Sequence, residues 1–232
     1  MTAQTDHLVV AAASLAEGVA WCEATLGVAP APGGAHPLMG THNRLLALGG
    51  DTFARCYLEI IAIDHGAQPG RARGLKRWFD LDDPALQAGL EKDGPRLVHW
   101  VARVPDLHAA VHALAVEPAH IDRGAILAAS RQTPAGRLQW QITVRDDGQR
   151  LFYGALPTLI QWGGAQHPAD GLPPSGVDLL ALAATHPRPE ALRPALAALG
   201  LQSAIPVEAG APCLRARLRT PRGEVTLESQ GL

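Results

Sequence analysis

The sequence predicts an α+β protein assembled from repeated βαβββ units. Three observations predict it. Two capped amphipathic helices each follow an apolar strand and precede further strands. The order recurs at a period of roughly 80–90 residues, which marks internal duplication. A third, degenerate pass of strand, helix and hairpin closes the chain. Strands and helices in this order fit an α+β arrangement.

The elements follow in order. Leu8 to Ala12 is an apolar run of strand length. Ser14 and Glu17 form a capping box; Leu15, Val19, Cys22 and Leu26 follow at helical spacing, and Gly27 stops the helix. The Pro/Gly-rich stretch from Pro30 to Gly40 reads as a loop with room for one short strand. Arg44 to Leu48 and Cys56 to Ile63 are strands about a Gly49-Gly50-Asp51 turn. Asp83-Pro84 opens a short helix ending at Asp93, inside a linker spanning 66–94. The pattern then returns: a strand from Leu97 to Val104, a helix capped by Asp106, and strands over Ile121–Ala129, Leu138–Val144 and Leu156–Trp162. Unit one therefore covers 1–65 and unit two 95–163, within a paired body of 1–168. A βαββ half-unit follows over 177–232, with a strand from Val177, a helix carrying Leu192, Leu196 and Leu199, and a hairpin around Pro221-Arg222-Gly223.

Composition narrows the function classes. The formal net charge is -2, and no clustered basic face marks a nucleic-acid binder. The densest basic run, Arg71, Arg73, Lys76 and Arg77, reads as a solvated loop or an anion-binding lid. No apolar run approaches the ~20 residues of a membrane helix, and the opening residues lack a secretion-signal pattern. The three cysteines are odd in number and lack CxxC spacing, so a disulfide framework is not expected and a cytoplasmic location is. Nucleotide loops and nucleophile elbows are absent. His108 and His112 have metal-clamp spacing but lack the glutamate of an HExxH motif, and His186-Pro187 reads as structural.

The chemistry-bearing residues fall at matching places in the two units. His7 lies in the first strand of unit one and His99 in that of unit two; Glu59 lies in the last strand of unit one and Gln161 in that of unit two. If the units pack about a pseudo-twofold axis, these four side chains converge. Two imidazoles and a carboxylate suffice for a divalent metal with open positions, and an amide oxygen adds a fourth ligand. Glu59 also needs compensation, because Leu58, Ile60 and Ile61 surround it. Glu228 sits in a similar strand, so unit one pairing with the third unit is the competing arrangement.

Asp6-His7-Leu8-Val9-Val10, Pro37, Gly40-Thr41-His42-Asn43, Tyr57-Leu58-Glu59-Ile60-Ile61-Ala62, Gly136, Leu138, Trp140, Leu156-Pro157, Leu159-Ile160, Trp162-Gly163 and His167-Pro168 together resemble the glyoxalase-like domain proteins of the vicinal-oxygen-chelate superfamily. The resemblance implies paired βαβββ units forming a U-shaped mixed sheet around a cleft. It implies a divalent metal there, with His7, Glu59, His99 and Gln161 at the ligand positions. Gln161 stands where an acid is common, which puts glyoxalase I chemistry in doubt. The leading expectation is a metalloenzyme of lyase or isomerase type, with the metal as Lewis acid on a small oxygenated substrate and His42 as proton carrier. The alternatives are a metal-free small-molecule binding protein, its cleft lined by Asn43, Trp100, Trp140 and Trp162, and an iron-dependent dioxygenase. The expected partner is a small-molecule ligand, with no nucleic acid and no membrane; a homodimer is compatible with the third unit.

Overall fold

The computed structural model describes residues 2–116, 118–133 and 136–229. Unit one comprises β1 (Gln4–Ala11), α1 (Leu15–Leu26), β2 (Ala31–His36), β3 (Thr41–Leu48) and β4 (Cys56–Ile63). After α2 (Pro84–Asp93), unit two comprises β5 (Arg96–Arg103), α3 (Leu107–Ala115), β6 (Ala125–Thr133), β7 (Gly136–Val144) and β8 (Thr158–Trp162). The third unit holds β9 (Asp178–His186), α4 (Pro189–Ala198), β10 (Val207–Ala209), β11 (Cys213–Thr220) and β12 (Gly223–Glu228).

The capping signals form as the sequence predicts. The Ser14 hydroxyl accepts the Glu17 N–H, and Gly27 ends α1 in the left-handed region at φ 76°. Asp83 and Asp106 cap α2 and α3 in the same way. β6 starts at Ala125, later than periodicity suggests. The Asp122 carboxylate accepts the Gly124 N–H at 2.7 Å, and this turn takes residues that the apolar pattern assigned to the strand.

Eight strands form one mixed sheet in the order β2-β3-β4-β1-β5-β8-β7-β6. β1 runs parallel to β4, β5 runs parallel to β8, and β1 meets β5 antiparallel. The order thus reads identically outward from the β1–β5 seam, as a pseudo-twofold axis requires. Unit one pairs with unit two. β12, which carries Glu228, belongs to a separate four-stranded sheet, β10-β9-β11-β12. The large sheet curls until its edges approach: the Arg131 guanidinium on β6 donates to the Asn43 side-chain oxygen on β3 at 3.4 Å.

Two cores follow from strand alternation. On the convex face, Leu8, Val10, Leu58, Ile60 and Trp100 pack with α1, α3 and the leucines of the third unit. Backbone bonds tie that unit down: Ala3 N–H donates to Leu199 O, Gly49 N–H to Val177 O, and Leu179 N–H to Gly49 O. On the concave face, Val9, Ile61, Val101, Trp140 and Ile160 pack against Trp78, Phe79, Leu81, Leu86 and Leu90. The stretch between the units is therefore more than a linker: its apolar residues plug the inside of the curved sheet. No helix among the described residues is long and apolar enough to cross a membrane.

Gly18 sets how closely α1 lies on β4, since a β-carbon there would stand 2.5 Å from Ile60 Cγ2. Gly18→Val is expected to destabilise the fold by about 1–3 kcal/mol through overpacking. Urea denaturation should show a lower midpoint with an unchanged slope.

Candidate functional site

The site is organised by a bulge in β1. Thr5 pairs with Ala102 and His7 with Val101, so Asp6 is the extra residue. This places Asp6 beside His7, and the two side chains meet at 2.6 Å between Asp6 Oδ1 and His7 Nδ1. Asp6 is fully buried. Its second oxygen accepts the Trp162 indole N–H and His167 Nε2–H, both at 2.9 Å. His167 Nδ1 accepts the Ala169 N–H, which fixes its proton on Nε2. Burial works to raise the Asp6 pKa, but the bonds from His167 and His7 win and hold the carboxyl well below the usual range. An ionised Asp6 places the His7 proton on Nδ1 and leaves Nε2 toward the cavity. Tyr57 stacks on the imidazole, with ring centres 4.5 Å apart.

Glu59 faces His7 from β4, its Oε2 lying 3.7 Å from His7 Nε2. The Asn43 amide from β3 donates to Glu59 Oε1 at 2.6 Å. Asn43 is itself oriented, because its oxygen accepts the Gly34 N–H at 2.8 Å. His36, at the end of β2, meets Thr41 Oγ1 through Nδ1 at 3.1 Å and the Asn43 amide through Nε2 at 3.4 Å. Burial pushes its imidazole down to about 4, against a partial opposing pull from Glu59. Arg131 makes no ion pair among the described residues. The Trp78 indole N–H is buried without a hydrogen-bond partner among them.

His7, His36, Asn43, Glu59, Trp78 and Arg131 border one cavity of about 30 Å³, its remaining wall aromatic and aliphatic. That volume admits a reacting group but no whole ligand. A larger cavity of about 370 Å³ shares Arg131 and Leu138 with it and extends past His167 and Leu172. The two together form a narrow end and an outer chamber.

The structure brings only part of the sequence-predicted set together. His7 and Glu59 face one another. His99 stands level with Val9, which separates it from Glu59 in the register. Its Nε2 accepts the Thr158 N–H at 3.1 Å, and its Nδ1 lies 3.1 Å from Gly154 O. Both nitrogens are spent, and burial, then Arg123, hold its pKa well below 6.5. Gln161 alternates with Ile160 and Trp162, which line the cavity, so it faces away; its oxygen accepts the Leu107 N–H at 2.7 Å. The four expected ligands do not converge. Among the described residues, no group of three or more His, Cys, Asp or Glu could hold a metal ion. His42 is also corrected: it alternates with Asn43 and so points to the opposite face of β3 from Glu59. Trp140 and Trp162 line the cavity, whereas Trp100 is wholly buried in the convex core, bonded to Ala155 O.

Sequence reasoning passed over Asp6, His36, Trp78 and Arg131 as site residues. An aspartate next to a histidine at the mouth of an apolar strand was the available signal for the first. Nothing in the local pattern marked the other three, which come from the end of β2, the segment between the units and a far strand.

Residues 5–200 match the family described as a glyoxalase-like domain. The chain belongs to that family. The sequence resemblance to glyoxalase-like domain proteins is thus borne out. No curated protein is significantly similar to it. A hypothetical protein from Staphylococcus aureus is similar in structure over 97% of this chain and 85% of its own, at 13% identity and a TM-score of 0.57, and shares the fold. Methylmalonyl-CoA epimerase from Mycobacterium tuberculosis aligns over 70% of this chain and 89% of its own, at 18% identity and a TM-score of 0.38. That likeness is too loose to carry a substrate or a mechanism across.

The buried His36 makes the stability of this glyoxalase-like domain depend on pH. Its folded pKa is about 4, against the usual 6.5, so the unfolded chain takes up a proton first as pH falls. Stability is full above 6.5 and declines as pH drops toward 4, by roughly 3 kcal/mol for this group. His99 acts in the same direction. Denaturant titrations across that window should show the decline, and His36→Gln should make it shallower.

Proposed function

We propose that the chain binds a small oxygen-bearing organic molecule and transfers a proton at a carbon beside its carbonyl group. Lyase or isomerase chemistry of this kind needs a positioned base and donors for the developing oxyanion. The observation that carries the reading is the buried Asp6–His7 pair facing Glu59 across 3.7 Å.

His7 Nε2 takes the proton from carbon. Asp6 keeps the imidazole in the required tautomer and stabilises the imidazolium that forms. Glu59, held by Asn43, lies close enough to accept that proton and return it at a second position. Arg131 and the Trp78 N–H supply donors for the enolate oxygen. The narrow cavity takes the carbonyl end, and the outer chamber takes the remainder of the molecule.

The residues do not fit the metal the family implies. His99 and Gln161 have their lone pairs committed elsewhere, and one Glu59 oxygen is held by Asn43. His7 and Glu59 alone are a thin ligand set for a resident ion. The aromatic wall of Trp78, Trp140 and Trp162 favours a second reading, a binding protein without chemistry.

The test is solvent exchange. The purified protein is incubated in D2O with a panel of small 2-oxo and 2-hydroxy carbonyl compounds, and deuterium incorporation is followed by NMR. At least one compound should exchange, and His7→Ala should slow it by about a hundredfold or more. Binding without exchange across the panel would transfer support to the second reading. Elemental analysis runs in parallel: a stoichiometric metal retained by the wild type and lost in both His7→Ala and Glu59→Ala would overturn the metal-free assignment.

A further inference from the structure

A larger cavity lies outside this site. It measures about 510 Å³ and sits between the start of α2, the turn before β8 and the end of β9. That volume suits a one- or two-ring ligand. Three rings stand on its wall. Phe152 and Tyr153 pack on His186 with ring centres 5.4 and 5.7 Å away, and Tyr153 keeps 49% of its surface exposed.

The backbone here is held in an unfavourable conformation. Phe152 (φ 53°, ψ 44°) and Tyr153 (φ 54°, ψ 34°) are consecutive non-glycine residues in the left-handed region. Such outliers cluster at ligand clamps and persist where the surroundings over-determine them. This pair sets an exposed aromatic ring at a cavity mouth, where packing alone gives no reason for one.

The polar groups define the ligand. His186 is only 2% exposed. Its Nδ1 accepts the Arg188 N–H at 3.0 Å, so the ring proton is on Nε2, which has no acceptor among the described residues. The exposed Arg188 guanidinium makes no ion pair among them either. The carboxylates on the wall are each held at one oxygen, Asp80 by Arg150 at 2.8 Å and Asp83 by the first N–H groups of α2. Beside an aromatic surface, the wall therefore offers an anion one imidazole N–H, one guanidinium and the Gln149 side-chain amide.

We propose that this cavity is a second ligand site, for a planar aromatic molecule bearing a carboxylate or similar anion. The ring lies against Tyr153 and Phe152, and the anion meets Arg188 and His186 Nε2–H.

Isothermal titration with 2-naphthoate tests it. The wild type should bind one equivalent, and naphthalene-2-carboxamide, which lacks the charge, should bind about tenfold more weakly. Arg188→Gln should weaken 2-naphthoate by a similar factor. Tyr153→Gly should abolish binding while raising the melting temperature by a few degrees, because glycine accepts the positive φ without strain. His7→Ala should leave the titration unchanged, which separates this cavity from the inner one. No binding by the wild type, undiminished binding by either Arg188→Gln or Tyr153→Gly, or binding lost in His7→Ala would overturn the proposal.

Discussion

The Asp6 carboxylate is the constraint on which the site depends. A wholly buried carboxylate without partners would be too costly to keep ionised. Here three N–H donors surround it, from the adjacent His7, from Trp162 on β8 and from His167 just beyond. The first belongs to unit one, the second to unit two and the third to the segment just after it, so the charge ties the halves of the sheet together where they enclose a cleft. The β1 bulge makes this possible, since regular alternation would send Asp6 and His7 to opposite faces. One extra residue thus fixes both the closure of the sheet and the tautomer of His7.

The two units have kept their fold symmetry and lost their chemical symmetry. His7 and His99 occupy comparable first strands, yet their nitrogens have different fates. The ionised Asp6 draws the His7 proton to Nδ1 and frees Nε2. In unit two the backbone N–H of Thr158 takes Nε2 of His99, and the Gly154 carbonyl lies at its other nitrogen. A buried histidine bonded at both ends stabilises the turn into β8 but reaches no ligand. Glu59 and Gln161 diverge similarly: the carboxylate faces inward, and the amide braces the start of α3. The polar side chains facing the inner cavity come mainly from unit one, with unit two contributing Arg131 and the aromatic and aliphatic wall.

The fold was legible because its signals are local. Ser14, Asp83 and Asp106 announce helices within three residues, and Cys56 to Ile63 can be little other than a buried strand. The repeat of these signals carried the two-unit reading. The site was less legible because it depends on which hydrogen bonds each polar group makes. Spacing placed His99 and Gln161 at equivalent positions, but spacing does not reveal that a backbone N–H from elsewhere will occupy their lone pairs. His42 and Asn43 adjoin in sequence, but β3 runs through both, and alternation separates them. Trp78 and Arg131 reach the cavity through tertiary packing, which leaves no local pattern.

The segment between the units decides how much space the cleft keeps. Phe79 and Asp80 both adopt positive φ, at 60° and 57°, which costs about 1–3 kcal/mol each. Burying Trp78, Phe79, Leu81, Leu86 and Leu90 inside the sheet outweighs this, at about 1.5–3 kcal/mol for each large side chain. Polar straps hold the segment in register. Lys76 N–H donates to Asp146 O, Asp80 N–H to Gly148 O, and Asp80 pairs with Arg150. Gly148 must be glycine there: its φ is 72°, and a β-carbon would fall 2.0 Å from Arg77 O. The inner cavity is consequently small and roofed by Trp78 and Phe79, while the next residue, Asp80, borders the 510 Å³ cavity on the other side. One strained pair of residues therefore limits what reaches His7 and forms a wall of the 510 Å³ cavity. Removing the plug would widen the cleft and expose the apolar concave face, so a small inner site is the condition under which this sheet can remain curled.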